Sequence, residues 1–359
     1  MGCGTVFSMN TSGKILWSYS LKNFSEGFEP DEGLYQDAAG NLYGATNLGG
    51  IVPCYEGDTL GCGTVFKLDT ASKENVLYRF KGSSNGHHDG SYPAGFLVGD
   101  PAATLYGSTV EGGAGENGGI VFRISPAGKE TILYNFPGPP CQPEGGGPAS
   151  SLILRPGDKR LYGTACGGGT YGEGTAFRMT TSGKLAVLYD FTGGGGPSNG
   201  GLFTPHGGSL YGASVYGGNG NCGAGGCGTA FELSPNGGTW TEKTLYLFCQ
   251  LSGCKDGQFP DSTLVIDSAG NIYGTTDFGG DYRNCNGDTC GVVYKLDSGA
   301  TKQCCTALPA AATEPTRWGW SWILKATSTA LPARAATRTV LGATDTAAEW
   351  CSRLLPKPT

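Results

Sequence analysis

The sequence is poor in charge and in the side chains on which most enzyme chemistry depends. Charged residues make up 15% of its 359 residues, and only three histidines occur. The net charge of −6 argues against a nucleic-acid partner. No stretch approaches 18 consecutive apolar residues, so we expect no transmembrane helix. The N-terminus lacks a basic segment followed by an apolar run, so no signal peptide is visible.

Motifs of common enzyme and cofactor sites are missing as well. No Gly-x-Ser-x-Gly stands in a strand-to-helix context, and no Gly-Lys-Ser/Thr opens a helix after a glycine run. His87 and His88 share a loop that offers no third metal ligand, so a solvated loop explains them best. The sequence therefore predicts no cofactor and no metal, and it identifies no catalytic residue.

Glycine, by contrast, is abundant. The chain has 65 glycines and 20 prolines, yet it also has 17 tyrosines and 15 phenylalanines. The glycines follow no Gly-x-y period, which excludes collagen, and the aromatic content is too high for a disordered chain. We expect many short core-forming segments separated by turns.

Two aromatic motifs recur along the chain. A Gly-Thr-Val-Phe motif returns every 54 to 63 residues, and its aromatic positions are Phe7, Phe66, Phe122, Phe177, Phe231 and Tyr294. A Leu-Tyr-Gly motif, followed by a glycine pair, has its tyrosines at Tyr43, Tyr106, Tyr162, Tyr211 and Tyr273. Large rings at fixed repeat positions are typical of core, so we expect all eleven to pack between blades.

Each repeat predicts four short strands and no helix. A third motif, Leu-Tyr-x-Phe, supplies one strand, as at Leu77–Phe80, and turns such as Asp37–Asn41 join the others. A lone four-stranded sheet cannot bury both faces, whereas stacked blades can. The sequence therefore predicts an all-β, β-propeller-like array of about five to six four-stranded blades. A β-solenoid is the alternative, although its repeats are usually shorter.

The motif spacing also sets the expected domain limits. We expect a repeat domain over residues 1–300, followed by an aberrant tail without a fold over 301–359. Within the domain the repeats are expected near residues 2–50, 51–113, 114–168, 169–218 and 219–280, with a partial copy at 281–300.

The joint spacing of these motifs resembles the GloVer (Gloeobacter–Verrucomicrobia) tandem repeat family. A further family element is an Asp-Gly-x-x-Pro loop, present at Asp89–Pro93 and Asp256–Pro260. The third and fourth repeats depart from it, with Glu144–Pro148 and a glycine run in its place. The resemblance covers residues 2–297 and implies a secreted or surface bacterial protein with a varied C-terminal anchor. It implies no catalytic residues.

The 14 cysteines favour disulfides, because cytosolic proteins rarely contain such close pairs. Predicted bridges join neighbours in the sequence: Cys54 with Cys62, Cys222 with Cys227, Cys249 with Cys254, Cys285 with Cys290, and more weakly Cys141 with Cys166. Zinc would need four ligands at finger spacing, and we expect no second pair or histidine set beside each pair. Cys3 is left over, which suggests that the chain begins inside a repeat and lacks its natural N-terminus and signal peptide.

Residues 301–359 form a compositionally different segment. They contain no Tyr or Phe, only two Gly, and four of the six Trp. In a reading frame that joins the third base of each codon to the first two bases of the next, the codons of Cys304–Cys305 must encode Leu and those of Trp318–Gly319 must encode Gly. The motifs of the missing repeat can be read in order in this shifted frame. The hypothesis is that this tail is a frameshift product, and the coding DNA tests it.

Three functional classes remain open from the sequence. The first is a secreted or cell-surface scaffold that binds a glycan or a protein through its loops, without catalysis. The second is a carbohydrate-active propeller enzyme, a glycoside hydrolase or lyase, which would need two converging carboxylates. The third is a purely structural surface or adhesin segment. We expect the first, with an extracellular or cell-surface location, no nucleic-acid partner and no membrane span.

Overall fold

A computed structural model gives the fold of the chain. It describes most of the repeat region, namely residues 4–9, 14–30, 33–51, 53–54, 59–83, 88–114, 117–138, 146–148, 151–155, 157–192, 208–218, 222–223, 225–260, 264–267, 269–280, 291–297, 299 and 302–307. Among these residues, no helix is long and apolar enough to cross a membrane.

The strands form six antiparallel sheets. The first sheet has two strands, β1 (Thr5–Met9) and β2 (Ile15–Ser20). Three four-stranded sheets follow, with the strands β3 (Tyr35–Gln36), β4 (Leu42–Thr46), β5 (Thr64–Leu68), β6 (Glu74–Arg79), β7 (Gly90–Gly99), β8 (Leu105–Gly112), β9 (Ile120–Ile124), β10 (Glu130–Asn135), β11 (Ile153–Arg155), β12 (Arg160–Ala165), β13 (Thr175–Thr180) and β14 (Leu185–Asp190).

Two further sheets complete the repeat region. They contain three and four strands, which are β15 (Leu210–Ser214), β16 (Thr229–Asn236), β17 (Thr239–Leu247), β18 (Val265–Ile266), β19 (Ile272–Thr275), β20 (Val292–Leu296) and β21 (Lys302–Ala307). The described residues include a single short 3₁₀ helix, Ser252–Cys254. In every sheet each strand pairs with its neighbour in sequence, which is the blade topology. The predicted all-β propeller class is confirmed, with five blades.

The chain divides into two compact units. One comprises Met1–Ser8 and Ile15–Phe191, and the other Met9–Lys14 and Thr192–Thr359. The first unit contains the three blades from β3 to β14, and the second contains the two blades from β15 to β21. Each unit has its own buried aromatic and aliphatic clusters.

The glycine of Leu-Tyr-Gly is required by close packing. In the first blade Gly44 lies opposite Phe66, and a Cβ on Gly44 would stand 2.6 Å from Cζ of that ring. Gly212 and Phe231 repeat the arrangement in the second unit, with 2.4 Å between the same atoms. The two motifs therefore form one cross-strand pair, in which glycine leaves room for the aromatic ring.

The tyrosine of Leu-Tyr-Gly is tied to the preceding turn. The Tyr43 hydroxyl donates to Asp37 at 3.0 Å, and burial together with this carboxylate raises the pKa of Tyr43 to about 12. Burial alone would raise the pKa of Asp37, but hydrogen bonds from Asn41, Tyr43 and Ala39 outweigh it and the pKa is lowered. Tyr273 and Asp267 repeat the pair at 3.0 Å.

The outer strand pair of every blade contains a β-bulge at the same position. In each case one residue of the fourth strand has no partner, directly before the tyrosine of Leu-Tyr-x-Phe or its equivalent. These unpaired residues are Leu77, Leu133, Leu188, Leu245 and Cys305. A bulge bends the strand and increases its twist, so the repeat carries the same local distortion five times.

Most predicted core rings are buried, and Phe7 is an exception. Phe66, Phe122, Phe177, Phe231 and Tyr294 are buried, as are Tyr43, Tyr106, Tyr162 and Tyr273. Tyr211 is half-buried against the core of the second unit. Phe7 is 50% exposed, so its prediction as core was wrong. Within the described residues its sheet consists of β1 and β2 alone, without a Leu-Tyr-Gly strand beside β1 to cover the ring.

The last strand lies beyond the expected domain limit at residue 300. Strand β21 pairs with β20 along its whole length, from Lys302 opposite Leu296 to Ala307 opposite Val292. It takes the place of the Leu-Tyr-x-Phe strand, whose motif the sequence lacks there. Residues 308–359 lie outside the described residues, and the frameshift hypothesis stays a prediction.

Candidate functional site

The Asp-Gly-x-x-Pro motif of the first unit, predicted as a loop, has its residues 90–93 in strand β7, and a buried aspartate holds it in place. Asp89 is 7% exposed and accepts hydrogen bonds from the Tyr78 hydroxyl at 2.8 Å, the Lys81 amide at 3.0 Å and the Gly90 amide at 2.8 Å. A carboxylate is needed because it can accept from all three donors at once. The tyrosine comes from the preceding blade, so this Tyr–Asp pair joins consecutive blades.

The second unit repeats the Tyr–Asp pair. Asp256 is 1% exposed and accepts from the Tyr246 hydroxyl at 2.8 Å, the Gln250 amide at 2.9 Å and the Leu251 amide at 3.0 Å. The loop that it holds begins with the 3₁₀ turn and ends at Pro260.

The residue before the loop proline has a left-handed backbone conformation. The φ angles are +56° at Tyr92 and +57° at Phe259. Residues other than glycine rarely adopt this left-handed region. The Tyr92 amide donates to the Cys62 carbonyl, and the Phe259 amide donates to the Cys227 carbonyl at 2.9 Å. The surrounding structure thus holds a strained backbone, which fixes the direction of one side chain in each loop.

In the second unit this side chain belongs to a cluster of three aromatic rings. The ring centroid of Phe259 lies 6.1 Å from that of Tyr216 and 5.9 Å from that of Phe278, both with edge-to-face geometry. Tyr216 is 46% exposed and Phe278 is 38% exposed, while Phe259 is half-buried. We call these three rings the aromatic surface.

Backbone pairing fixes the loops that carry the rings. Gln258 and Phe278 form an antiparallel bridge with N–O distances of 2.9 and 3.2 Å, and the Asp277 amide donates to the Phe259 carbonyl at 3.0 Å. Oε1 of Gln258 lies 3.1 Å from Sγ of Cys222. The aromatic surface is therefore held by hydrogen bonds and by a disulfide-bonded loop, which reduces the entropy lost on binding a ligand.

The disulfide predictions are met wherever both cysteines are described. Bridges join Cys54 to Cys62, Cys222 to Cys227, and Cys249 to Cys254. Cys166 is also disulfide-bonded, but its predicted partner Cys141 lies outside the described residues. The predicted pair Cys285–Cys290 lies wholly outside them.

Two of these bridges are neighbours in space. The sulfur atoms of Cys222, Cys249 and Cys254 all lie within 4.8 Å of one another, and Cys227 is bonded to the first of them. The prediction that no second cysteine pair lies beside each pair was wrong for these two pairs. The spacing Cys-x4-Cys, 21 residues, Cys-x4-Cys is visible in the sequence and is the signal that could have indicated the cluster.

A half-buried glutamate of the first unit, Glu130, is the main titratable candidate. Oε1 of Glu130 is buried and has no hydrogen-bond partner. Burial, with a smaller contribution from the Asp89 charge, raises the pKa of Glu130 to about 7. Burial also raises the pKa of Asp89, although the Tyr78 hydroxyl and two amides oppose that shift. A carboxyl with a pKa near neutrality can donate or accept a proton.

The chain is only distantly similar to solved structures. An ulvan lyase of a new polysaccharide lyase family matches with a TM-score of 0.48 and 13% identity, over 76% of this chain and 68% of that one. PorZ, a surface component of the type-IX secretion system of Porphyromonas gingivalis, matches with a TM-score of 0.47 and 13% identity, over 79% and 35%. An auxiliary nutrient binding protein from Bacteroides thetaiotaomicron matches with a TM-score of 0.42 and 13% identity, over 76% and 56%.

Sequence comparison gives a more specific result. No curated protein matches the chain. The family model of the Gloeobacter/Verrucomicrobia repeat matches residues 1–225, which is more than half of the sequence. This match agrees with the motifs and with the blades that they form. The chain therefore belongs to the Gloeobacter/Verrucomicrobia repeat family.

Proposed function

We propose that the protein is a secreted or cell-surface scaffold that binds glycans through the aromatic surface of its second unit. The observation that carries the proposal is the cluster of Tyr216, Phe259 and Phe278, in which two rings are exposed and the third is held in a strained conformation. Exposed apolar rings grouped on loops are costly for a surface that binds nothing.

A glycan fits this surface better than a charged ligand. Pyranose rings have C–H faces that stack on aromatic side chains, and their hydroxyls need neutral hydrogen-bonding groups at the edge. Gln258 supplies a carboxamide beside Phe259, and none of the three ring residues carries a charge at neutral pH. Disulfides support export, because they persist in oxidising compartments.

A glycan array tests the proposal directly. We expect the labelled chain to bind a defined glycan class, and titration calorimetry to show that Tyr216→Ala with Phe278→Ala weakens binding at least about tenfold, equivalent to about 1.4 kcal/mol. Tyr171→Ala is the matched control, since Tyr171 is 62% exposed but belongs to the first unit. Equal affinity of the double variant and the control would contradict the aromatic surface as the binding site.

A second candidate is catalysis on carbohydrates, favoured by Glu130. Its buried, unpartnered oxygen and its pKa of about 7 suit a general acid beside the Asp89 carboxyl. Polysaccharides incubated with the chain would then release reducing ends or unsaturated products, and Glu130→Gln would abolish the release. The three hydrogen bonds that the oxygens of Asp89 already accept instead indicate a structural role for this carboxylate.

A purely structural role is the third outcome of these experiments. It predicts an empty glycan array and no turnover of any polysaccharide, although the chain is folded and its disulfides are formed. That result would overturn both the binding proposal and the catalytic candidate.

A further inference from the structure

The four cysteines of the second unit form a compact group. Cys222 and Cys227 flank a loop before β16, and Cys249 and Cys254 flank the start of the connection after β17. Their Cα separations within each pair are 5.1 and 4.2 Å. The β16–β17 hairpin brings the two loops together, because the Phe248 amide, next to Cys249, donates to the carbonyl of Gly228, next to Cys227.

Three of the four sulfurs lie close enough together to bind one metal ion. Sulfurs bound to one Zn²⁺ at ~2.3 Å stand roughly 3.8 Å apart. Cys222, Cys249 and Cys254 have their Sγ atoms within 4.8 Å of one another, and the Sγ of Cys227 is covalently bonded to one of them. After reduction, the Sγ atoms of Cys222 and Cys227 would separate, and that of Cys227 would have to join the other three around one ion.

The surroundings also suit a structural metal site. Cys227 is fully buried and Cys249 is 5% exposed, so a bound ion would be largely shielded from water. Each pair has four intervening residues, within the range that zinc ligands use. Gly226 precedes Cys227 and Gly253 precedes Cys254, both with a positive φ, as tight turns around a metal require.

We propose that the reduced form of this group is a tetrathiolate site for Zn²⁺, and that the two disulfides are its oxidised, metal-free form. In the reduction each disulfide takes up two electrons and two protons from a thiol reductant, which is oxidised to its own disulfide. Binding of Zn²⁺ then displaces the four thiol protons. The loops that support the aromatic surface would thus be crosslinked in either redox state, by metal or by disulfides.

Metal binding by the intact chain tests the proposal. The full-length protein is reduced without oxygen by a phosphine, which forms the phosphine oxide with water, and is then loaded with Zn²⁺ and desalted. The chain has other cysteines, so variants identify the site. We expect the double variant Cys249→Ser with Cys254→Ser to bind one equivalent of zinc less than the parent. The control double variant, Cys54→Ser with Cys62→Ser, removes a disulfide of the first unit and should bind as much zinc as the parent.

Two measurements on the unaltered chain test the site even if a variant fails to fold. Co²⁺ in place of Zn²⁺ should give intense thiolate charge-transfer bands and the visible spectrum of a tetrahedral site. Zn²⁺ should also protect Cys222, Cys227, Cys249 and Cys254 from alkylation, as mapped by mass spectrometry. Alkylation of these four at the same rate with and without Zn²⁺, or equal zinc loss in both double variants, would overturn the proposal.

Discussion

The Asp-Gly-x-x-Pro motifs of the two units share a Tyr–Asp hydrogen bond and a left-handed residue but have different neighbours. Tyr78 and Asp89 in the first unit match Tyr246 and Asp256 in the second, each with an O–O distance of 2.8 Å. The residues before the prolines share a left-handed conformation, with φ of +56° and +57°. The repeat therefore specifies the loop, and what each loop does depends on the residues around it.

Those residues differ at three equivalent positions. Where the second unit has Tyr216, Phe259 and Phe278, the first has Leu48, Tyr92 and Glu111 at the same distances from the repeat motifs. Only the second unit groups three rings there. A feature that the repeat itself required would appear in both units, so the aromatic surface is an addition to the repeat and the best candidate for function.

The largest expected effect comes from removing the loop aspartates. Asp89→Ala leaves the Tyr78 hydroxyl and two amides without their buried acceptor, and Asp256→Ala does the same in the second unit. We expect each change to lower the free energy of unfolding by about 2–4 kcal/mol. Urea denaturation of the parent and of each variant measures this change in the free energy of unfolding. A large loss at one aspartate and under about 1 kcal/mol at the other would break the equivalence of the two loops.

Glu130→Gln should have a smaller effect, of opposite sign and dependent on pH. The folded state holds the Glu130 proton up to a pKa of about 7, against an ordinary value of 4.5, so folding becomes less favourable as the pH rises between these values. Allowing for solvent screening, we expect the variant to be more stable than the parent by about 1–2 kcal/mol at pH 8.

The pH dependence separates this cause from a packing effect. Near pH 4 the stability gain should vanish, because Glu130 is then protonated in both the folded and the unfolded state. Thermal denaturation at several pH values follows the difference. A gain that is the same at pH 4 and pH 8 would contradict the raised pKa, and Glu173→Gln, in the same unit, serves as the control.

The smallest effect on stability is expected at the aromatic surface itself. Tyr216→Ala and Phe278→Ala remove exposed rings, so each should change the free energy of unfolding by less than about 1 kcal/mol. The same variants should weaken glycan binding at least about tenfold. Denaturation and calorimetry on one preparation compare the two quantities. A loss of several kcal/mol in the free energy of unfolding would show that these rings are core residues. It would contradict the conclusion that the aromatic surface is an addition to the repeat.

Much of the fold could be predicted because its constraints lie within single strands and hairpins. The pairing of Gly44 with Phe66 follows from two motifs that face each other in adjacent strands. The Asp37 turn, with Gly40 at a φ of +85°, is also local. Phe7 shows the limit of this reasoning, because its motif is intact but its ring is 50% exposed in a sheet with two described strands.

The candidate sites were harder to predict because their residues come from different repeats. Tyr216 and Phe278 lie in different repeats, and neither belongs to a repeated motif that predicts contact. Glu130 stands three residues before a Leu-Tyr-x-Phe motif, as Glu74 and Glu242 do in other repeats, so the repeat marks the position but not its burial. Proximity of this kind is set by blade packing.

By itself, the sequence determined the family, the blades, the turns and the near-neighbour disulfides, because each rests on residues that are close along the chain. Only the tertiary structure decided that two cysteine pairs lie side by side and that three rings from successive loops meet. It also decided that burial raises the pKa of Glu130. The physical reason is that burial and contact between repeats depend on how blades stack, which no single repeat encodes.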